Sequence, residues 1–381
     1  MSTKGRFFSL YKFELLKILK NKVAMVTFAI FFAMAFIQGE GEIAGNIEPE
    51  ELKYYSEFNG RLLDEEFLAE TMSYTDELGD FTLEDHRAYL DIRNWIRDIV
   101  GYRTRFTEFT PADIYDIRLS EIDKGMEEEK LTEGEKQFWQ QKASAVSPPF
   151  TFYCNWIPAG VLEGTTNFSI YLIVLVSTSL AMIFSMETQR KTDAMIRATI
   201  NGTDRLYFAK ILAGVTYILA CITVIVVGFL TYTGLRWGFS GMQSAVQLYW
   251  PLASENMTLW KLEGVILIML IAFALLLAAF SLLMSNVTRN GIATMALVIG
   301  VSLGIFALST SIPLEKRILN QAIQWISPSV ISSRLVYEYR LVHLGKYFTV
   351  YEFVPILYVL LSIVMILAGY VIYKKHEIKN N

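Results

Sequence analysis

Val265-Ile-Leu-Ile-Met-Leu-Ile-Ala-Phe-Ala-Leu-Leu-Leu-Ala-Ala-Phe-Ser-Leu-Leu-Met284 runs its whole length without a charge. An α-helix needs roughly 20 such residues to cross a hydrocarbon layer, where its own backbone must satisfy every N–H and C=O group. Five further windows of like character lie at Val23–Ile37, Thr166–Phe184, Leu206–Thr233, Ile292–Leu308 and Phe353–Tyr373. The chain therefore reads as an all-α membrane protein with six transmembrane helices. Composition agrees, since 53% hydrophobic, 14% aromatic and 19% charged residues is too apolar a mixture for an ordinary soluble enzyme of 381 residues.

The first window is short. Before it, Phe7, Phe8, Tyr11, Leu15, Ile18 and Leu19 fall on one arc at 100° per residue while Lys12, Lys17 and Lys20 point away, the pattern of an N-terminal interfacial elbow helix feeding a span. A lysine-rich start followed by apolar residues and Ala33-Met34-Ala35 also resembles a cleaved secretory signal. The charged region is long for a signal, and a patterned arc has no purpose in a discarded segment. Residues 1–38 are accordingly read as elbow helix and first span.

Charge sets the expected orientation, because Lys and Arg of short loops gather on the cytoplasmic side. Lys4, Arg6, Lys12, Lys17, Lys20 and Lys22 precede the first span; Arg190, Lys191, Arg197, Arg205 and Lys210 follow the second; Arg289 follows the fourth, and Lys374, Lys375 and Lys379 close the chain. Glu14, Glu187, Asp193, Asp204 and Glu377 are the only acids on that side. Both termini are expected in the cytoplasm of a multi-pass protein of a bacterial cell membrane.

Residues 39–165 differ in character, with 28 Asp and Glu against 12 Lys and Arg, a net of −16, while the remainder sums to +12. The overall net charge of −4 conceals this division, and no basic nucleic-acid patch exists. The segment is expected to be an acidic, helical, extracellular domain. Helices are expected over Glu50–Glu70, Leu83–Arg105, Pro111–Lys124 and Thr132–Lys142, where apolar residues recur every three to four positions. Thr82 with Asp85, and Thr132 with Glu135, have the spacing of N-terminal capping pairs. Few strands are expected, and residues 166–381 hold the other five spans.

Catalytic signatures are lacking. No G-x-x-x-x-G-K-[ST] stretch is present to wrap backbone N–H groups around phosphates. His86, His343 and His376 are scattered, so no H-E-x-x-H metal cluster can form, and no nucleophile–base pair can be assembled. Cys154 and Cys221 fall at different depths, which disfavours a disulfide between them. No Asp, Glu, Lys or His lies near the centre of a predicted span, so an ion relay is not evident. The chain is expected to bind no cofactor and to draw its energy from another subunit.

The stretch Phe184-Ser-Met-Glu-Thr-Gln-Arg-Lys-Thr-Asp-Ala-Met-Ile-Arg-Ala-Thr-Ile-Asn-Gly-Thr-Asp-Arg-Leu-Tyr-Phe-Ala-Lys210 resembles the first inner loop of ABC-2 type permeases. In that family a Glu ends span two, a short amphipathic helix and a small-residue turn with an Arg follow, and a Lys opens span three. Glu187, the Ala194–Ile200 segment, Gly202-Thr203-Asp204-Arg205 and Lys210 stand in those places. Trp325-Ile-Ser-Pro328 is similar to part of the external short helices the family carries between spans five and six, here 309–352. Tyr370-Val-Ile-Tyr-Lys-Lys-His-Glu377 is similar to its ending. The acidic segment aligns with nothing in the simplest members.

The resemblance implies that loop 185–210 is a coupling helix docking into a separate P-loop ATPase dimer, with Glu187, Arg190, Asp193, Arg197, Gly202, Asp204 and Arg205 in contact. ATP and Mg would sit on that partner. A second permease copy or a homologue would complete a path lined from spans two and five by Ser177, Thr178, Ser179, Thr294 and Ser302, which serve helix packing equally well. Trp237, Trp250 and Trp260 are read as membrane-interface anchors. An apolar path suits export of an amphipathic or hydrophobic cargo, whether peptide, drug or lipid-like. A different class of function stays open: a membrane-anchored sensing or immunity module whose acidic domain captures cationic peptides.

Overall fold

The computed structural model describes residues 3–76, 87–189, 191–192, 204–312 and 316–378. Six helices in it are long and apolar enough to cross a membrane, which makes this a multi-pass, helical membrane protein. In chain order the helices are α1 (Thr3–Leu19), α2 (Lys22–Ala44), α3 (Leu52–Tyr55), α4 (Glu65–Ser73), α5 (Arg87–Val100), α6 (Ile114–Glu128) and α7 (Glu133–Ser144). There follow α8 (Trp156–Leu180), α9 (Met182–Gln189), α10 (Asp204–Arg236), α11 (Leu259–Thr288), α12 (Gly291–Ser311), α13 (Arg317–Ile326) and α14 (Val350–Ile378). The spans are α2, α8 with α9, α10, α11, α12 and α14.

All six predicted windows fall inside these helices, which extend beyond them. The first apolar helix continues through Ala44 because its extra turns find partners: Glu40 accepts from Tyr232 Oη at 2.9 Å and Trp237 Nε1 at 3.1 Å. Gly39 and Gly164 let α2 and α8 close around the Phe229 ring of α10, where a Cβ on either would stand 2.5 or 2.6 Å from a ring carbon. The most apolar helix, α11, is the hub of the bundle, packing on α8, α10, α12 and α14. A break at Ala181 separates α8 from α9. There Ser285 of α11 inserts its hydroxyl, donating to the Ala181 carbonyl at 2.7 Å and accepting from the Phe184 N–H at 3.2 Å.

The 45–155 segment forms its own apolar core from Tyr55, Leu63, Phe67, Ile92, Ile96 and Phe150, continuous with Ile43 and Ile157 at the helix ends below. The helix expected over Glu50–Glu70 is two, α3 and α4. Gly60 sits between them at φ 93°, and Leu62 bridges to Thr151 as extended chain. Helix α5 stops at Gly101, whose φ is 86°, four residues before the expected end at Arg105. The Thr132–Glu135 cap forms as expected, with the Thr132 N–H donating to Glu135 at 2.8 Å. Thr82 and Asp85 lie outside the described residues. An unexpected second capping box joins Thr110 to Asp113.

Between α12 and α14 the chain is only partly helical: after α13 come two short 3₁₀ turns and an antiparallel hairpin, β1 (Leu341–His343) with β2 (Tyr347–Thr349), turned at Gly345. This corrects the all-helical reading of 309–352. The acidic segment is clamped to the bundle by a buried cation. Arg118 donates to the carbonyls of Pro251 and Ala253 at 2.6 Å each, and burial pushes its guanidinium down to about 10. Beside it Lys142 bridges Glu255 at 2.6 Å, and Tyr351 of α14 donates to the same carboxylate at 2.7 Å.

One of the tryptophans read as interface anchors belongs to the protein interior: Trp237 is buried on Glu40. Trp250 is half-buried, its ring stacked on Tyr337 at 4.9 Å. Trp260 is exposed beside Phe239. Cys154 and Cys221 are buried and unpaired, and burial lifts the Cys154 thiol to about 12.

Candidate functional site

Helix α1 lies along α10, and its inward face carries Tyr11, Glu14, Leu15 and Ile18. A carboxylate in that stripe requires a partner, because an unpaired buried charge is costly. It has two. Glu14 Oε1 accepts from Lys17 Nζ at 2.7 Å and Glu14 Oε2 from Lys210 Nζ at 3.3 Å. Glu187 Oε1, on α9, accepts from Lys210 at 2.7 Å and from Lys17 at 3.2 Å.

Lys210 is 0% exposed, Glu14 4% and Lys17 29%. Its ammonium has three protons and three acceptors, the third being the Ile183 carbonyl at 2.9 Å, so no donor is left over. The Phe184 ring adds a cation–π face with Nζ 5.5 Å from its centroid. Two carboxylates and two ammoniums make the cluster formally neutral, and a cavity of about 20 Å³, roughly one water in size, adjoins it beside Asn21, Ser179 and Met182. The four charges come from three helices. They cross-link α1, α9 and α10 where α9 ends at Gln189 and α10 begins at Asp204.

No family model, curated protein or solved structure matches the chain. The site is therefore read from its own geometry.

Of the residues singled out in the sequence, Glu187 is in the cluster. Asp204 is the exposed first residue of α10 and accepts from Tyr370 of α14 at 2.9 Å; Arg205 follows it, half-buried. Arg190, Asp193, Arg197 and Gly202, with the Ala194–Ile200 segment, lie outside the described residues. Ser177, Thr178 and Ser179 on α8, and Thr294 and Ser302 on α12, are all buried inside this chain. Ser177 and Thr178 donate back to the Val174 carbonyl at 3.0 and 2.8 Å, and Thr294 to Asn290 at 2.9 Å, the local bonding that lets hydroxyls pack between helices.

Sequence reasoning missed Glu14 and placed Lys17 on the outer face. The apolar arc of α1 also needs correction, since Phe8 and Leu19 are exposed together with Phe13 and Leu16, giving the helix two apolar faces. A signal was present: Glu14 is the only acid before Glu40, and it stands between Tyr11 and Ile18 at helical spacing. The extended spans likewise bring Glu163 and Glu263 into the bundle near the acidic segment. Glu163 accepts from Tyr249 at 3.2 Å and Ser333 at 2.9 Å, and Glu263 from Thr165 at 2.8 Å. Among the described residues no group of His, Cys, Asp and Glu could hold a metal ion.

Proposed function

We propose that the chain is the membrane subunit of an ABC exporter of the ABC-2 type, moving an amphipathic or hydrophobic cargo with energy from a separate ATPase. The observation behind this reading is the buried cluster of Glu14, Lys17, Glu187 and Lys210. It pairs Glu187, which precedes the part of the chain that resembles a coupling loop, with Lys210, which follows it. A push on that segment reaches α1, α9 and α10 as one body, because Lys210 of α10, with all three ammonium protons bonded, ties Glu14 of α1 to Ile183 and Glu187 of α9. Ser285 at the Ala181 break passes it on to α11, the hub of the bundle.

In this reading α1 is the interfacial elbow, with Phe8, Phe13, Leu16 and Leu19 against lipid. Both termini and the cluster face the cytoplasm, and the acidic segment lies outside the cell. Glu187, Arg190, Asp193, Arg197, Gly202, Asp204 and Arg205 border the ATPase, which carries ATP and Mg. A second copy or a homologous permease completes the transporter.

The test is purification of the tagged protein from its native membrane in mild detergent, with ATP hydrolysis and co-purifying subunits measured. A stoichiometric P-loop ATPase that is lost from the Glu187→Ala, Arg197→Ala double variant supports the reading. Recovery of the native protein from several detergents without any ATPase overturns it.

A further inference from the structure

Helix α13 follows the fifth span and presents an apolar face away from the rest of the molecule. Ile318 is 86% exposed and Leu319 50%, and Ala322 and Ile326 continue the same face one and two turns on. Its polar face is fixed: Arg317 grips Glu135 of α7 with two bonds of 2.8 and 3.2 Å, and Asn320 donates to the Ile312 carbonyl at 2.9 Å. At one edge of the apolar face the Trp325 ring packs on Phe353 at 5.4 Å. The exposed apolar face is thus held outward by its own anchoring, in a soluble setting an arrangement that invites aggregation.

Three observations indicate what covers it. Phe353 lies one turn inside α14 and Ser309 of α12 pairs with Ser327 at 3.0 Å, so α13 sits level with the ends of two spans. Helix α13 packs on both α12 and α14, and Leu303 and Leu308 of the first and Ile356 and Leu360 of the second are exposed apolar residues of spans long enough to cross hydrocarbon. Arg317 is taken up by Glu135, and Lys316, just before the helix, is exposed. An apolar face, an exposed lysine at its start and a Trp are the makings of a helix lying in a membrane interface, where a lysine stem can carry its ammonium to the phosphates.

We propose that α13 lies in the plane of the lipid headgroups, its Ile318, Leu319, Ala322 and Ile326 face in the upper acyl region, and that through Arg317 and Glu135 it seats the acidic segment at a fixed height over the membrane. The occupant of this face is a lipid surface. The inference does not depend on the exporter reading.

The test uses the full chain in nanodiscs of phosphatidylglycerol and phosphatidylcholine. An environment-sensitive fluorophore is attached at Ile318→Cys or, separately, Ile326→Cys, with Tyr102→Cys, exposed on the acidic segment, as the water-facing reference. The native cysteines are buried. Expected is strong quenching at both α13 positions by lipid spin-labelled high on the acyl chain, weaker quenching by a label near the chain end, and several-fold less quenching by aqueous iodide than at Tyr102→Cys. Iodide quenching equal to that at Tyr102→Cys would place the face in water and overturn the proposal. Protection from both quenchers, with self-quenching between labelled copies, would assign the face to a second copy of the chain and overturn it equally.

Discussion

Replacing Lys210 by Met removes one fully buried ammonium and keeps the side-chain volume nearly constant. Lys210 faces Glu187 at 2.7 Å and Glu14 at 3.3 Å. At an effective dielectric of about 20 the gross attractions are ~6 and ~5 kcal/mol. Desolvation of several kcal/mol per ion cancels most of this, so the cluster as a whole adds little net stability. The variant is different, because Lys17 alone must then serve two buried carboxylates. Removing one partner of a buried ion pair costs about 3–5 kcal/mol. Lys210→Met is therefore expected to lose that much in reversible detergent-titrated unfolding. Lys210→Met with Glu187→Gln leaves Glu14 paired with Lys17 and the cluster neutral, so the double variant should be more stable than the sum of the two singles by about 1–3 kcal/mol. Additivity within about 0.5 kcal/mol, or a single-variant loss below about 1 kcal/mol, would refute the coupled cluster.

Two further outcomes test the packing and the electrostatics of the acidic segment. Gly164→Ala places a Cβ about 2.6 Å from the Phe229 ring and should cost roughly 1–3 kcal/mol in the same unfolding assay, with Phe229→Leu in the same chain recovering most of it; full tolerance of the alanine would show that α8 and α10 are not in close contact. Asp91 of α5 accepts from Tyr55 at 2.6 Å and from Trp156 at 3.1 Å, yet burial pushes its carboxyl up to about 6 from 3.8. A carboxyl raised on folding stabilises the fold when protonated, fully below the unfolded value near 4, and that stability is lost as pH rises through about 6. The wild-type chain should thus gain thermal stability relative to Asp91→Asn on going from pH 7 to pH 5, and parallel pH profiles for the two would remove Asp91 from the account.

Element type was legible wherever the local signal was long and redundant. The uncharged window Val265–Met284 could only be a buried or membrane-crossing helix, and the Thr132–Glu135 spacing contained its own cap. Boundaries were less legible, because the last turns of α2 are held by groups far along the chain, such as Tyr232 and Trp237. The same holds for the site. Glu187 and Lys210 could be paired from the order of residues around one loop, but Glu14 and Lys17 join them only when α1 lies down on α10.

Six apolar helices, two oppositely charged parts and the lack of a P-loop motif are all readable from residues adjacent along the backbone. Which face of each helix is buried, that the most apolar helix is the hub of the bundle, and that four charges meet at the inner face of α1 emerge only from packing. So does the outward turn of the apolar side of α13. Helical periodicity marks a stripe without saying what lies against it, and contacts between residues nearly two hundred positions apart depend on how the helices pack.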